Sequence, residues 1–387
     1  MARRDPYNLK ETYLKWKGKA LRNGIQGLTK ANSDLILQYV ADMEQGINVA
    51  PNNRKGSRSY IRLKVICSRL PYLAREFQKR FLVNEITQID ERQLCGFFSD
   101  MRNGNIKRAN GKQYKAVRDY VKNFKAFWHW HQRVNRKEGK QIQDITTDLD
   151  TSGEKPDWVY LTEDQVKHLC SEARYDYEVL IWFLYDTGIR APTELSNIKV
   201  SDFYNDFKEL NIRDEISKTF GRRIKLMLCS DIIKEYVKRK NLSLQDYIFS
   251  TDYGSMNRYL KNLAKRVLGD KESPAGERYS QLTLYDFRHN SCCYWLPRYK
   301  SESALKYRFG WKSSDKIHYY SELLGMRDTI SDEDMLIDKT KTEVEQKLEK
   351  SNNENSILKE QVIVMQSQLN KITKLTSKLF PDFESDG

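Results

Sequence analysis

The feature that most constrains this chain's fold is a break at residues 144–158. The stretch DITTDLDTSGEKPDW is acidic, carries Gly153 and Pro156, and has no hydrophobic period. It continues neither a helix nor a strand and reads as a linker. Upstream, residues 1–145 place apolar side chains at helical spacing throughout. Downstream, residues 159–330 mix helical periods with short alternating stretches. Charge divides at the same place: residues 1–150 hold 30 basic and 15 acidic side chains, leaving 37 and 38 for the rest. The first half therefore carries the whole positive excess of the 387-residue chain, which points to a polyanion partner there.

In the first half, TKANSDLILQYVADMEQG reads as a helix with an Asn or Ser cap and Leu35, Ile36, Tyr39, Val40 and Met43 on one face. SRSYIRLKVICSRLPYLAREFQKRF is longer, and Pro71 inside it predicts two helices or a kink. ITQIDERQLCGFFSDMRNG is a short capped helix. GKQYKAVRDYVKNFKAFWHWHQRV buries an aromatic stripe and turns Lys112, Lys115, Arg118, Lys122 and Lys125 to the other side, a face suited to DNA phosphates. In the second half, LTEDQVKHLCSEA is a capped helix and YEVLIWFLYDTG a buried one ending at Gly188. FKELNIRDEI and RRIKLMLC are strands bracketing a KTFG tip, SMNRYLKNLAKRVLG is a helix, and another begins near YDFRH. The expected fold is mainly α with a small β-sheet.

Six residues spread over this half carry the chemistry. Arg190 and Arg288 offer planar guanidiniums, which match the paired oxygens of a phosphodiester and stay charged. Lys218, at a hairpin tip, can donate a proton to a leaving oxygen, and Arg222 beside it reads as a further DNA contact. Tyr320 can attack phosphorus, with Tyr319 as its rival. A phenol needs help to ionise, because its ordinary pKa is about 10. Tyr285 and Trp311 can each hydrogen-bond a phosphate oxygen.

The order TGIR, then SKTFGRR, then YDFRH, then GW, then YYSEL resembles the tyrosine recombinase (integrase) family over residues 159–330. LTEDQVKHL and ELSNIKVSDF are also similar to that family's catalytic domain. GIRAPTEL and YDFRHNSCCYWLPRYKSE give it the flavour of an archaeal-type integrase. The basic helical half resembles the family's SAM-like core-binding domain. The resemblance implies that Arg190 and Arg288 clamp the scissile phosphate and that Lys218 is the general acid. It implies that Trp311 donates its indole N–H where many relatives use histidine. Tyr320, nine residues after Trp311, would form a 3′-phosphotyrosine. Two departures stand out within this span, and the long repeat beyond residue 340 is a third. Tyr285 occupies the slot where most members have histidine, three residues before Arg288. Glu194 lies four residues after Arg190 where many members have it at three, which suggests an insertion around Pro192. His289 reads as support for the fold.

Beyond residue 340 the pattern changes again. Val344, Leu348, Ser351, Asn355, Leu358, Val362, Met365, Leu369, Ile372, Thr376 and Leu379 keep 4-3 spacing, the mark of a coiled coil over 340–380. Asn355 at an a position favours a parallel dimer. The domain expectation is a helical DNA core-binding domain at 1–145, a linker at 146–158, a catalytic domain at 159–330 and the coiled coil.

The six cysteines form no C-x-x-C pair and read as reduced thiols. No apolar leader or membrane span is expected. The expected protein is a cytoplasmic, DNA-associated recombinase of a mobile element. It would cut and rejoin double-stranded DNA as a tetramer, without metal or cofactor. A type IB topoisomerase-like relaxing enzyme and a non-catalytic DNA-binding protein of the same fold are the alternatives.

Overall fold

The computed structural model describes residues 4–50, 55–153, 156–249, 252–299 and 301–324, with scattered helical positions between 351 and 369. One compact unit runs to Tyr320 and holds two hydrophobic cores. The first core is built by α1 (Leu9–Asn23), α2 (Lys30–Gln45), α3 (Tyr60–Phe81), α4 (Glu91–Arg102) and α5 (Val117–Lys137). Thr29, not the expected Asn or Ser, caps α2, its hydroxyl accepting from the Asn32 N–H. Asp90 and Gln93 close a capping box on α4.

The α5 start is corrected here, and of the two alternatives for Pro71 the division into two helices is excluded. Pro71 neither divides nor ends α3, which is one helix on both sides of it. A proline inside a helix costs about 3 kcal/mol, and here Leu70, Leu73, Ala74 and Phe77 are buried around it. They offset that cost. The basic helix begins at Val117, not at Gly111, so Lys112 and Lys115 lie in an irregular approach to it. Tyr114, also before α5, still packs, its hydroxyl donating to that of Tyr72 at 2.9 Å.

Ile145 and Leu149 belong to the first core, so the chain leaves it later than the composition break suggests. The second core surrounds α7 (Tyr175–Thr187), largely apolar from Val179 to Tyr185, with α6 (Glu163–Ser171), α8 (Ser230–Arg239), α9 (Tyr253–Leu268) and α10 (Asp286–Trp295) packed about it. A three-stranded antiparallel sheet completes it in the order β1 (Phe203–Tyr204), β2 (Glu209–Ile212), β3 (Arg222–Lys225). Leu210 pairs with Ile224, and both point into the core. Strand β1 and helix α8 were not foreseen. The short helices α11 (Glu302–Phe309) and α12 (Asp315–Leu323) follow.

The coiled-coil stretch lies mostly outside the described residues. Where described it is helical, and Leu358, Val362, Met365 and Leu369 are exposed.

Candidate active site

The end of α7 starts the site. Gly188 takes φ 56°, and a Cβ there would meet a Phe309 ring carbon at 2.3 Å, so only glycine fits. This turn throws Arg190 away from α7. Its guanidinium donates to Glu194 Oε1 (2.9 Å) and to the Gly310 carbonyl (2.9 Å). Glu194 is fully buried and gathers more donors: the Arg190 N–H at 2.8 Å and Arg222 Nη2 at 2.9 Å. Burial pushes its carboxyl up, but Arg222 and Arg190 outweigh that and hold it at about 2.

Helix α11 collects the arginines at its C-terminal end. The Arg308 carbonyl accepts from Arg222 Nε (2.8 Å), the Phe309 carbonyl from Arg288 Nη2 (2.5 Å), and the Gly310 carbonyl from Arg190. Three consecutive carbonyls at the negative end of one helix thus hold three guanidiniums. Arg288 also donates to the Gly188 carbonyl at 2.5 Å. Burial and then the positive Arg190 lower its pKa to about 10, so it remains a cation near neutrality. Three cations share one carboxylate, Glu194, and the cluster is suited to an anion. Of the three side chains, Arg190 is the one with appreciable access, 14% exposed against 0% for Arg222. Arg308 fixes α11 in place, donating to Asp186 Oδ1 at 2.7 Å. The other Asp186 oxygen accepts the N–H groups of Met227, Leu228 and Cys229.

Lys218 sits exposed in the β2–β3 loop. The next residue anchors that loop to the cluster, Thr219 Oγ1 donating to the same Gly310 carbonyl at 2.9 Å. Trp311 is half-buried, its ring stacked on Phe309 at 4.9 Å and on Tyr320 at 6.0 Å. Tyr320 is 3% exposed, and its Oη meets His289 Nδ1 at 2.5 Å. Burial, then Cys292, raises its phenol well above the usual range, and Arg288 opposes that rise. Tyr319 turns the other way: its hydroxyl accepts from Trp158 Nε1 (2.8 Å) and donates to the Pro156 carbonyl (3.3 Å). Tyr285 stands 49% exposed at the start of α10, its ring edge-on to His289.

Arg190 and Arg288 therefore meet at the carbonyls of Phe309 and Gly310, Trp311 stacks between Phe309 and Tyr320, Tyr285 joins through His289, and Lys218 lies exposed in a loop whose neighbouring Thr219 reaches Gly310. Sequence reasoning gave His289 no contact with Tyr320. The RH pair was the available signal, but it does not reveal which neighbour the imidazole meets.

No family model and no curated protein matches the chain. Solved structures do. A lambda integrase tetramer bound to a Holliday junction aligns at TM-score 0.54 and 13% identity, over 80% of this chain and 85% of that one. A lambda integrase dimer bound to a COC′ core site gives 0.53 at 15% identity, over 77% and 79%. The Tn1549 transposon integrase with circular intermediate DNA gives 0.51 at 15%, over 75% and 94%. The fold is that of the tyrosine recombinases.

Within this tyrosine-recombinase fold the expected DNA contacts separate. Arg118 and Lys122 are exposed on α5, and Lys112 is exposed before it. Lys125 Nζ donates to the Thr146 carbonyl at 2.7 Å. Lys115 bridges the two halves, reaching Asp157 at 2.9 Å and Glu277 at 3.6 Å. Arg102, Arg108, Lys112, Lys115 and Arg118 line a cleft of about 1030 Å³ that reaches Tyr319. Arg222 is corrected: its side chain is fully buried against Glu194 and the Arg308 carbonyl, where it cannot meet a DNA surface. Among the described residues no helix is long and apolar enough to cross a membrane. None of them form a group of three or more His, Cys, Asp or Glu that could hold a metal ion.

Proposed function

We propose that this chain is a site-specific DNA recombinase that cuts and rejoins double-stranded DNA through a 3′-phosphotyrosine. The observation that carries the reading is the arginine cluster on α11 beside a buried tyrosine. A guanidinium has five N–H donors, and Arg190 and Arg288 each direct two bonds to protein oxygens. The remaining donors suit the nonbridging oxygens of a phosphodiester, whose charge grows in the pentavalent transition state. Tyr320 Oη attacks phosphorus, the P–O5′ bond breaks, and Lys218 protonates the leaving oxygen. Trp311 donates its indole N–H to a nonbridging oxygen, and Tyr285 at the mouth contacts the phosphate. The tyrosine link conserves the phosphodiester's energy, so rejoining needs no nucleotide.

Residues 1–145 serve as the core-binding domain and 159–330 as the catalytic domain, with DNA lying between the basic face and the arginine cluster. Strand exchange takes a tetramer, as in the lambda integrase structure on a Holliday junction, and the exposed apolar positions Leu358 to Leu369 pair protomers as a coiled coil. The phrases GIRAPTEL and YDFRHNSCCYWLPRYKSE support an archaeal-type integrase of a mobile element, working in the cytoplasm on DNA.

The test uses nicked duplexes carrying a site selected from a random DNA library. Wild type and Tyr319→Phe form a covalent adduct, and Tyr320→Phe binds but forms none. An adduct that survives in Tyr320→Phe and vanishes in Tyr319→Phe overturns the assignment. Relaxation of supercoils with no exchange between two marked duplexes favours the topoisomerase-like reading.

A further inference from the structure

We infer that His289 is the base that takes the Tyr320 phenolic proton as the tyrosine attacks DNA. This rests on Tyr320 being the nucleophile. The contact is direct, Tyr320 Oη lying 2.5 Å from His289 Nδ1, within reach for proton transfer.

The helix explains how an imidazole comes to stand there. Tyr285 and His289 are four residues apart at the start of α10, so they share a face. Tyr285 sits outermost and exposed, and a phenol does not accept a proton near neutral pH. His289 stands one turn further in. Arg288, one residue earlier, points about 100° away around the helix, into the carbonyls of Gly188 and Phe309. The same turn thus serves phosphate and nucleophile with adjacent residues.

The imidazole is held by ring contacts: Trp158 stacks on it at 4.8 Å and 25°, and Tyr285 meets it edge-on at 5.2 Å. Among the described residues, other titratable groups near the pair are Arg288, Asp286, Cys292 and Cys293 on α10 and Tyr319 on α12. Asp286 accepts from Thr283 and from the Val159 N–H. Burial raises both thiols, Cys293 to about 12. Tyr320 itself is buried, where ionisation without a partner is costly.

The step balances. With Nδ1 accepting, neutral His289 takes the proton as the Tyr320 O–H bond breaks. The Oη–P bond forms, P–O5′ breaks, and the 5′ oxygen takes its proton from Lys218. On rejoining, the imidazolium returns its proton to Tyr320.

Adduct formation on the nicked, library-selected DNA is followed from pH 5 to 9. Wild type should lose rate on the acid side with a single ionisation. His289→Asn, with DNA affinity and melting temperature checked, should be slower by about 10²–10⁴-fold near pH 7 and should speed up tenfold per pH unit. A fluorinated tyrosine of lower pKa at position 320 should restore the His289→Asn variant and leave Arg288→Ala slow. Should the variant fail to fold, the same fluorotyrosine in the wild-type chain fills in the acid limb. A loss uniform across pH with no rescue, or a wild type without an acid limb, overturns the role of His289. A wild type that forms no adduct, or a Tyr320→Phe that does, overturns the assignment of Tyr320 instead.

Discussion

Replacing Glu194 with Gln should destabilise the protein through charge rather than shape. The amide fills the same volume, but it removes the one carboxylate among Arg190, Arg222 and Arg288. It also turns an N–H donor toward guanidiniums that have only donors. The fall of the Glu194 carboxyl from its ordinary 4.5 to about 2 corresponds to about 3 kcal/mol at ~1.36 kcal/mol per unit. Unpairing a buried ion pair costs about 3–5 kcal/mol. The two routes agree. The sign follows from the depressed folded-state pKa: the contribution is full above about pH 4.5 and is lost as pH falls toward about 2. Urea unfolding of wild type and Glu194→Gln at pH 7, 5, 4 and 3 reads both quantities. The gap should hold near 3 kcal/mol or more from pH 7 to 5 and narrow below. A gap under about 1 kcal/mol at pH 7, the scale of an exposed pair, refutes the reasoning. So does a gap that is unchanged at pH 3.

Three further outcomes are expected. Lys218→Ala should recover cleavage on a substrate whose leaving 5′ oxygen is replaced by sulfur, because a thiolate departs without a proton; failure of that rescue removes Lys218 from the role. Arg222→Ala should lower the melting temperature, whereas Lys122→Ala should leave it unchanged, weaken DNA binding evenly across sequences and reduce the salt slope by about 1. A titration that reverses the two residues contradicts their burial. A chain ending at Lys341 should still form the covalent adduct but lose self-association by light scattering, since the apolar 4-3 repeat would be gone. An unchanged mass and unchanged strand exchange rule out pairing through that segment.

The elements with strong local signals were legible in the sequence. Helix α7 announces itself by a run of apolar residues that stops at Gly188, and α4 and α6 by their capping boxes. Lys218 falls in a loop between strands as its flanking alternation requires. What escaped was decided across long sequence separations. Arg222 looked like a surface cation because nothing within its own strand hints at a carboxylate 28 residues away. The α5 boundary failed because Tyr114 keeps the apolar period while packing from outside the helix. His289 could be placed beside Arg288 from the sequence, but its contact with Tyr320 depends on where α12 returns. Pro71 shows the converse: a residue that often ends a helix sits inside one, among buried neighbours.

The position of Gly310 ties the site to one short stretch of backbone. The peptide groups of 308, 309 and 310 carry one arginine each, and the chain reaches Tyr320 only ten residues later, after stacking Trp311 on the way. Under the proposed reaction, a phosphate that draws the guanidiniums inward would pull on the same backbone that leads to the Tyr320 oxygen. Any tilt of α11 acts like the turn of a key, shifting all three cations and the approach to α12 together. Under the proposed reaction the consequence would be coordination without a separate messenger: a duplex seated out of register would misalign the arginines and Tyr320 at once, so poor seating and poor attack would be one failure.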